Sequence, residues 1–471
     1  MKKALFAVLA ACPLLFAESY QVNTLSAKQL GMGHTGAGQK LGSESMHYNP
    51  GGLGFLDKTL DISAGVTFIM PEVKFEGKEV NNKMGTPIYV YAGSSITDWF
   101  SAGLSFTTPY GNSMDLGKDW AGANLVQDIS LSVYAIQPTV AFKILEKVSI
   151  GGGPVIYFGD FEQSKALIPA GKLNGLSAVA PFLAANPPTQ QALLGIVDKY
   201  ADVNAASATF SGDADVAVGA NIGIQYDFIP NKLTWGVAYR SEAKMKVSKG
   251  KTKISQTINA TELATLNQII DGVNPGLVAL GSDPIAQIAI PNLEDGTFEA
   301  ELPLPANLSV GLSVRPIEKL LLAFDLQKVF WGTYEKLSMD FTDNVILGVH
   351  PVAGPVHSSV SKKNYHNTFA YRFGVQYTLI DQLDLRLGVY YDETPVDDEY
   401  LTPESPSTDK LGTTIGFSFR PIPNLSIDAS FLYALGFDRT AKSGTEKGDD
   451  GLDGRYEVQA WAPSVGVSFN F

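Results

Sequence analysis

Few residue groupings in this chain could do chemistry, and each lacks part of what that chemistry needs. Gly31-Met32-Gly33-His34-Thr35-Gly36 matches the letters of a GxGxxG dinucleotide fingerprint. That fingerprint works when an apolar strand precedes it and a helix opens on it, so that backbone N–H groups meet a pyrophosphate. Ser26-Ala27-Lys28-Gln29-Leu30 is no such strand. Gly250-Lys251-Thr252 resembles the end of a phosphate-binding loop, but Met245 stands where its leading glycine belongs. No G-x-S-x-G elbow occurs. The five histidines show no metal-ligand spacing. His350 and His357 could act as bases, yet no nucleophile can be named for them. Asp449, Asp450 and Asp453 could hold a calcium ion at a loop tip or simply form a solvated acidic loop. These residues point to no enzyme, no metal site and no cofactor.

The elements that would have to position a site are strands. In the last sixteen residues Trp461, Pro463, Val465, Val467, Phe469 and Phe471 alternate with Ala460, Ala462, Ser464, Gly466, Ser468 and Asn470. Neighbouring side chains on a strand point to opposite faces, so one face is greasy and the other small and polar. The same alternation fills 308–315, 369–377 and 383–391. Aromatic and β-branched residues share one face, while glycine, serine and charge share the other. That inside-out pattern is the signature of a transmembrane β-barrel. No apolar run of about 18 residues follows the N-terminus, which argues against helical spans. A net charge of −13 argues against nucleic-acid partners.

Short turns recur at Leu56-Asp57-Lys58, Thr97-Asp98, Glu146-Lys147, Pro230-Asn231-Lys232, Glu318-Lys319, Asp381-Gln382 and Pro423-Asn424. The first leads into strand one and the other six join hairpins. The expectation is an all-β fold, a 14-stranded antiparallel barrel over 57–471, with a third strand over 99–110. Before it, Lys2, Lys3 and the apolar run Ala4–Ala17 read as a signal peptide over 1–17. Cys12, the sole cysteine, follows Leu9-Ala10-Ala11 as in a lipobox, but Pro13-Leu14-Leu15-Phe16 continues the apolar core.

Residues 18–56 are Gly-rich and form no strand pair. A barrel of this size has a lumen its own side chains cannot fill, so this segment is expected to be a plug. Gly151, Gly153, Gly219, Gly223, Gly236, Gly311, Gly374, Gly388, Gly412, Gly416 and Gly466 all fall on the inward face. Strand glycines mark close approach of another backbone or a ligand; alternatively, small inward residues leave a water channel. Arg240, Arg315, Arg372 and Arg386 share that face. They could meet a ligand carboxylate or pair with acids such as Asp325 and Asp384. The long connections 162–206 and 250–295 carry helical periodicity. Leu183, Leu193, Leu266 and Ile270 on them read as an external ligand-gathering surface or as a lid on the barrel mouth.

The plug region also carries a family likeness. Ser19-Tyr20-Gln21-Val22-Asn23, the glycine run 31–38 and Tyr48-Asn49-Pro50-Gly51-Gly52-Leu53 resemble the N-terminus of the FadL/TodX family of outer-membrane transporters. Gly51 replaces the alanine of that family's Asn-Pro-Ala motif. Phe68–Pro71, Trp235–Ser241 and the terminal Phe471 look like the family as well. The resemblance implies a 14-stranded barrel with an N-terminal hatch in a Gram-negative outer membrane. It implies passive uptake of long-chain fatty acids or aromatic hydrocarbons, with a general diffusion porin as the alternative. It further implies a pocket touched by Tyr20, Val22 and Leu25, a hatch motif of Asn49, Pro50 and Gly51, and a lateral opening near Gly103–Pro109. The expected partners are a hydrophobic ligand, membrane lipid and the barrel-assembly machinery, the last through Phe471. The expected oligomeric state is a monomer.

Overall fold

The computed structural model describes residues 19–118, 120, 122–285, 287–288, 296–342, 348–350, 354–442 and 452–471. The signal-peptide expectation, Cys12, Asp449, Asp450 and the side chain of His350 fall outside this set. Fourteen strands close into one antiparallel barrel. They are β1 (Asp61–Thr67), β2 (Ile88–Thr97), β3 (Phe100–Asp115), β4 (Asp128–Leu145), β5 (Val148–Ile168), β6 (Ala206–Ile229) and β7 (Leu233–Arg240). They continue with β8 (Asn307–Ile317), β9 (Leu320–Val329), β10 (Thr368–Ile380), β11 (Leu383–Asp392), β12 (Lys410–Ile422), β13 (Leu425–Gly436) and β14 (Gly454–Asn470). Each strand pairs with its sequence neighbour, and the ring closes where Asp61 of β1 faces Asn470 of β14. The six hairpin turns read from the sequence all lie between consecutive strands of this ring.

The inside-out pattern holds. On β14, Val465 and Val467 are 50% and 48% exposed, while Ser464 and Ser468 are 1% and 5% exposed. On β11, Leu385 and Leu387 face outward while Asp384 and Arg386 are buried. Lipid covers the apolar face in a membrane barrel. The barrel's own core is therefore its lumen.

Several strands differ from the alternation-based reading. The first stops at Thr67, and the chain folds into a hairpin, Met70–Phe75 with Lys78–Val80, that pairs with β14 rather than β2. The expected single strands over 232–249, 296–315 and 319–341 are each broken, near 241, 305 and 330. Their outer parts, Ala243–Gln256, Gly296–Leu304 and Lys336–Phe341, pair among themselves above the barrel. Pro305 fits such a break, because it cannot donate to a ladder.

The two long connections meet in an external lobe. It contains a 3₁₀ segment, Lys172–Leu183, and two helices, α1 (Pro187–Lys199) and α2 (Ala260–Ala279). Asn259 starts α2 by accepting from the Glu262 N–H, and the Glu262 carboxylate accepts from the Asn259 N–H in return. Lys199 at the end of α1 reaches Glu262 at 2.6 Å and ties the helices together.

Candidate functional site

The lumen is filled by residues 19–56, and backbone approach explains how. A Cβ on Gly38 would sit 2.6 Å from the Gly311 carbonyl carbon, and one on Gly51 would sit 2.9 Å from the Gln225 nitrogen. Real Cβ atoms cannot come that close, so both positions exclude a side chain. Wall glycines Gly151, Gly223, Gly236, Gly311, Gly374, Gly388 and Gly416 meet Pro50, Asn49, Ala37, Gly38, Met32, Gly33 and Gly31 in turn. Gly466 approaches Ala27 in the same way. Gly153, Gly219 and Gly412 meet wall atoms instead. The inward glycines thus mark the plug's footprint at eight of the eleven positions named from sequence.

Polar contacts then fix the segment's orientation. The Asn49 amide donates to the Ala37 carbonyl at 2.7 Å and to the Ile224 carbonyl of β6 at 3.0 Å. Its oxygen accepts from the Gly51 N–H at 3.0 Å, capping a 3₁₀ turn that Pro50 begins. The Asp325 carboxylate of β9 accepts from the Gly36 and Ala37 N–H groups at 2.6 and 2.8 Å. Buried Glu44 accepts from Ser26 and Ser63, and Lys28 lies 3.6 Å from it. Arg386 lies 3.6 Å from Asp428 and 3.9 Å from Asp384, so an acid partner is already present for it.

The N-terminal end of the segment lies against a break in the wall. β3 pairs with β2 only as far as Thr107, opposite Tyr89. Its pairing with β4 shifts register between Thr107 and Tyr110, which brackets Pro109. The strand continues to Asp115 rather than ending near 110. A bulge absorbs the missing proline donor, so the chain need not leave the sheet. Residues 20–22 occupy this place from inside. The Val22 N–H donates to the Pro109 carbonyl and the Gly111 N–H to the Tyr20 carbonyl, both at 2.8 Å, with Gln21 opposite Tyr110. Gly103 lies lower on β3, where a Cβ would strike the Met46 sulfur at 2.6 Å.

Two cavities flank residues 20–22. One is mostly apolar. Its walls include Tyr20, Ile129, Leu131, Phe161, Met245, Leu302, Tyr334 and Leu337, with Lys363 and Glu404 among its polar residues. Lys363 is buried and bonds Glu404 and, at 3.0 Å, Thr402. Burial pushes the Glu404 carboxyl up, but the Lys363 ammonium outweighs this and leaves it below the ordinary range. The Tyr20 ring meets Trp331 and Tyr334 edge-on at 4.9 and 5.8 Å, and its hydroxyl donates to the Pro303 carbonyl. The other cavity is polar. Gln21, Val22, His34, His47, Asn221, Arg240, Asp325 and Arg372 line it. Burial, then the Arg372 charge, pushes the His34 imidazole down to about 3.

The expected site residues therefore separate. Tyr20 lines the apolar cavity, Val22 lines the polar one, and Leu25 packs with Leu30 and Leu432 without lining either. Asn49, Pro50 and Gly51 lie together against β6. Leu193, Leu266 and Ile270 come together as the buried core of the external lobe, with Leu183 packed on its edge. The lobe's exposed apolar residues include Phe182, Leu194, Val203, Val278 and Leu280. Sequence reasoning missed the wall of the apolar cavity, including Met245, Leu302 and Leu337. Their inward position above the barrel depends on strand breaks that alternation does not reveal.

The family described as outer membrane protein transport protein (OMPP1/FadL/TodX) matches residues 8–471. The 47 kDa outer membrane protein of Pasteurella multocida is 24% identical, over 90% of this chain and 89% of that protein. The long-chain fatty acid transport protein of Escherichia coli O6:H1 is 21% identical, over 96% of this chain and 94% of its own. The fold matches the crystal structure of a Pseudomonas aeruginosa FadL homologue with a TM-score of 0.71 at 20% identity, covering 96% of this chain and all of that one. It matches the Pseudomonas putida toluene transporter TodX with a TM-score of 0.65 at 17% identity, covering 97% and 100%. Barrel, lumen segment and a match spanning nearly the whole chain agree. The protein belongs to the FadL/TodX family of transport proteins of the Gram-negative outer membrane.

Proposed function

We propose that the protein is a passive uptake channel, and no enzyme, for hydrophobic compounds of the kind its relatives' names describe, fatty acids or toluene. The observation that carries this reading is the apolar cavity lined by Tyr20, beside a lumen that residues 19–56 fill. An apolar compound gains about 25 cal/mol per Å² of surface it buries there. Residues 1–17 serve as the export leader and 18–56 as the hatch. Ligand collects on the external lobe, whose exposed apolar residues include Phe182 and Leu194, and enters the apolar cavity. It leaves sideways at the break around Pro109, which spares it a passage through water. The protein acts as a monomer, and Phe471 is its signal to the assembly machinery. The test is a liposome assay with a labelled hydrophobic compound and a labelled sugar. Entry of the hydrophobic compound alone is expected. Equal entry of both would make the protein a general porin.

A further inference from the structure

We propose that the outer wall above the barrel is a docking surface for a phosphorylated glycolipid of the outer leaflet, with a phosphate held between Lys336 and Lys362. The inference goes beyond the uptake reading and rests only on the barrel's place in the outer membrane.

The first observation is the charge on that wall. The segments Ala243–Gln256, Gly296–Leu304, Lys336–Phe341 and Ser358–Lys362 pair in that order into one sheet. Leu302, Leu337 and Met339 line the apolar cavity, so the residues that alternate with them face outward. The stretch from Lys244 to Lys253 presents five exposed lysines, and Lys336 and Lys362 add two. Against them stand Glu299, Glu301 and Asp340. A chain with a net charge of −13 thus gathers an excess of cations on this sheet. Asp213 and Asp215 of β6 border it at one edge, where Ser248 donates to Asp215.

The second observation is how differently these lysines are placed. Lys244 lies 3.1 Å from Glu301 and Lys246 lies 2.8 Å from Glu299, so acids of the next strand neutralise both. Lys336 instead stands directly opposite Lys362. Side chains so opposed start roughly 4.5–5.5 Å apart, and like charges there weaken the strand pair. Both residues are exposed. Among the described residues no carboxylate lies within 4.0 Å of either ammonium. An anion seated between them turns the repulsion into two attractions, and lysine is a ready phosphate binder.

The third observation fixes the height of the pair. Lys328 of β9 points outward between buried Gln327 and Val329. Its ammonium lies over the rings of Phe330 and Phe369, 5.3 and 5.5 Å from their centres. Farther down the same face Phe324 and Tyr371 are exposed to lipid. Aromatic residues and snorkelling lysines mark the edge of the hydrocarbon. Lys336 and Lys362 follow beyond that edge on the outer side, at the level of lipid headgroups. Lys249, Lys251 and Lys253 stand progressively farther out along their strand. That column suits a headgroup that extends away from the membrane, as a glycolipid's does and a simple phospholipid's does not.

The test titrates the full-length protein in detergent micelles with three lipids and reads binding by native mass spectrometry. They are an acylated disaccharide carrying two phosphates, the same lipid after phosphatase treatment, and phosphatidylglycerol. The wild-type protein should bind the phosphorylated glycolipid roughly ten-fold more tightly than the dephosphorylated one. Lys336→Gln together with Lys362→Gln should abolish that preference, and Lys336→Arg with Lys362→Arg should keep it. Unchanged binding of the dephosphorylated lipid in each variant shows that the barrel is folded. Equal binding of the two glycolipids by the wild-type protein would overturn the proposal, whether or not the glutamine variant folds. A phosphate preference that survives both glutamines would overturn the assignment to this pair. Phosphatidylglycerol bound as tightly as the phosphorylated glycolipid would make this a general anionic-lipid surface and refute the glycolipid assignment. Each of these failures leaves the uptake reading standing, because none of the three lipids reports on the apolar cavity.

Discussion

Asn49 shows how much a single side chain settles here. Its oxygen caps the 3₁₀ turn and its amide bridges the hatch to β6. Asn49→Ala removes a cap and leaves the Ile224 carbonyl short of a donor, at a cost of about 1–3 kcal/mol. That is enough to loosen the segment but not to unfold a barrel whose ladder is untouched. We expect slower uptake of a hydrophobic compound by Asn49→Ala protein, with normal heat-resistant mobility in gel electrophoresis. A variant that loses the folded band would mean that the motif supports the whole barrel. The motif was legible because a proline that follows an asparagine and precedes two glycines has few places in a chain other than a fixed turn. Arg240 was legible only as one of four inward arginines. Which of the four meets an acid, as Arg386 meets Asp428, depends on strand register, and residue type does not reveal it.

At the scale of elements, β3 and β14 carry the testable consequences. Gln21 and Tyr110 face each other as bridge partners. Opposed residues in an antiparallel pair lie roughly 4.5–5.5 Å apart, within the reach of a disulfide. Cysteines at both positions should form a bond that holds residues 20–22 against the break. Uptake should stop in the oxidised protein and return on reduction, while ligand binding at the mouth persists. Oxidised protein that transports at the normal rate would eliminate the side route. On β14, Arg at Val467 should cost about 2–4 kcal/mol near the midplane, and Arg at Ser468 much less. Equal unfolding free energies for the two variants would contradict the assigned faces. Alternation and turn residues gave all fourteen strands and the six short turns that join them, because a period of two runs on either side of a local distortion. It did not show where a strand bends or splits. Thr107–Tyr110 reads as a strand end by sequence, since a proline without a ladder partner looks the same at a bulge and at a loop. The external lobe misled in another way. Leu193, Leu266 and Ile270 have helical spacing whether they face a ligand or one another, and here they face one another.

For the whole molecule, the question is what separates the two sides of the membrane. The hatch touches wall strands around the ring, from Gly151 on β5 to Gly416 on β12. Deleting 18–56 should therefore leave a folded barrel with large, steady ion conductance in a planar bilayer, where the intact protein is nearly silent. Unchanged conductance after the deletion would show that the strands themselves block the lumen. The closure of the ring has one more consequence, for the order of events during folding. The seam joins Asp61 to Asn470 and Thr67 to Ser464, the two ends of the barrel sequence. Contacts so far apart along a chain are the slowest to form. Until β14 exists, β1 and β13 are open edges, and such edges invite pairing with foreign strands. Each shorter product of synthesis has an unguarded side, and only the finished chain has none. The hatch precedes β1 in sequence, so it is present before the seam can close, and the last strand encloses a plug that is already there.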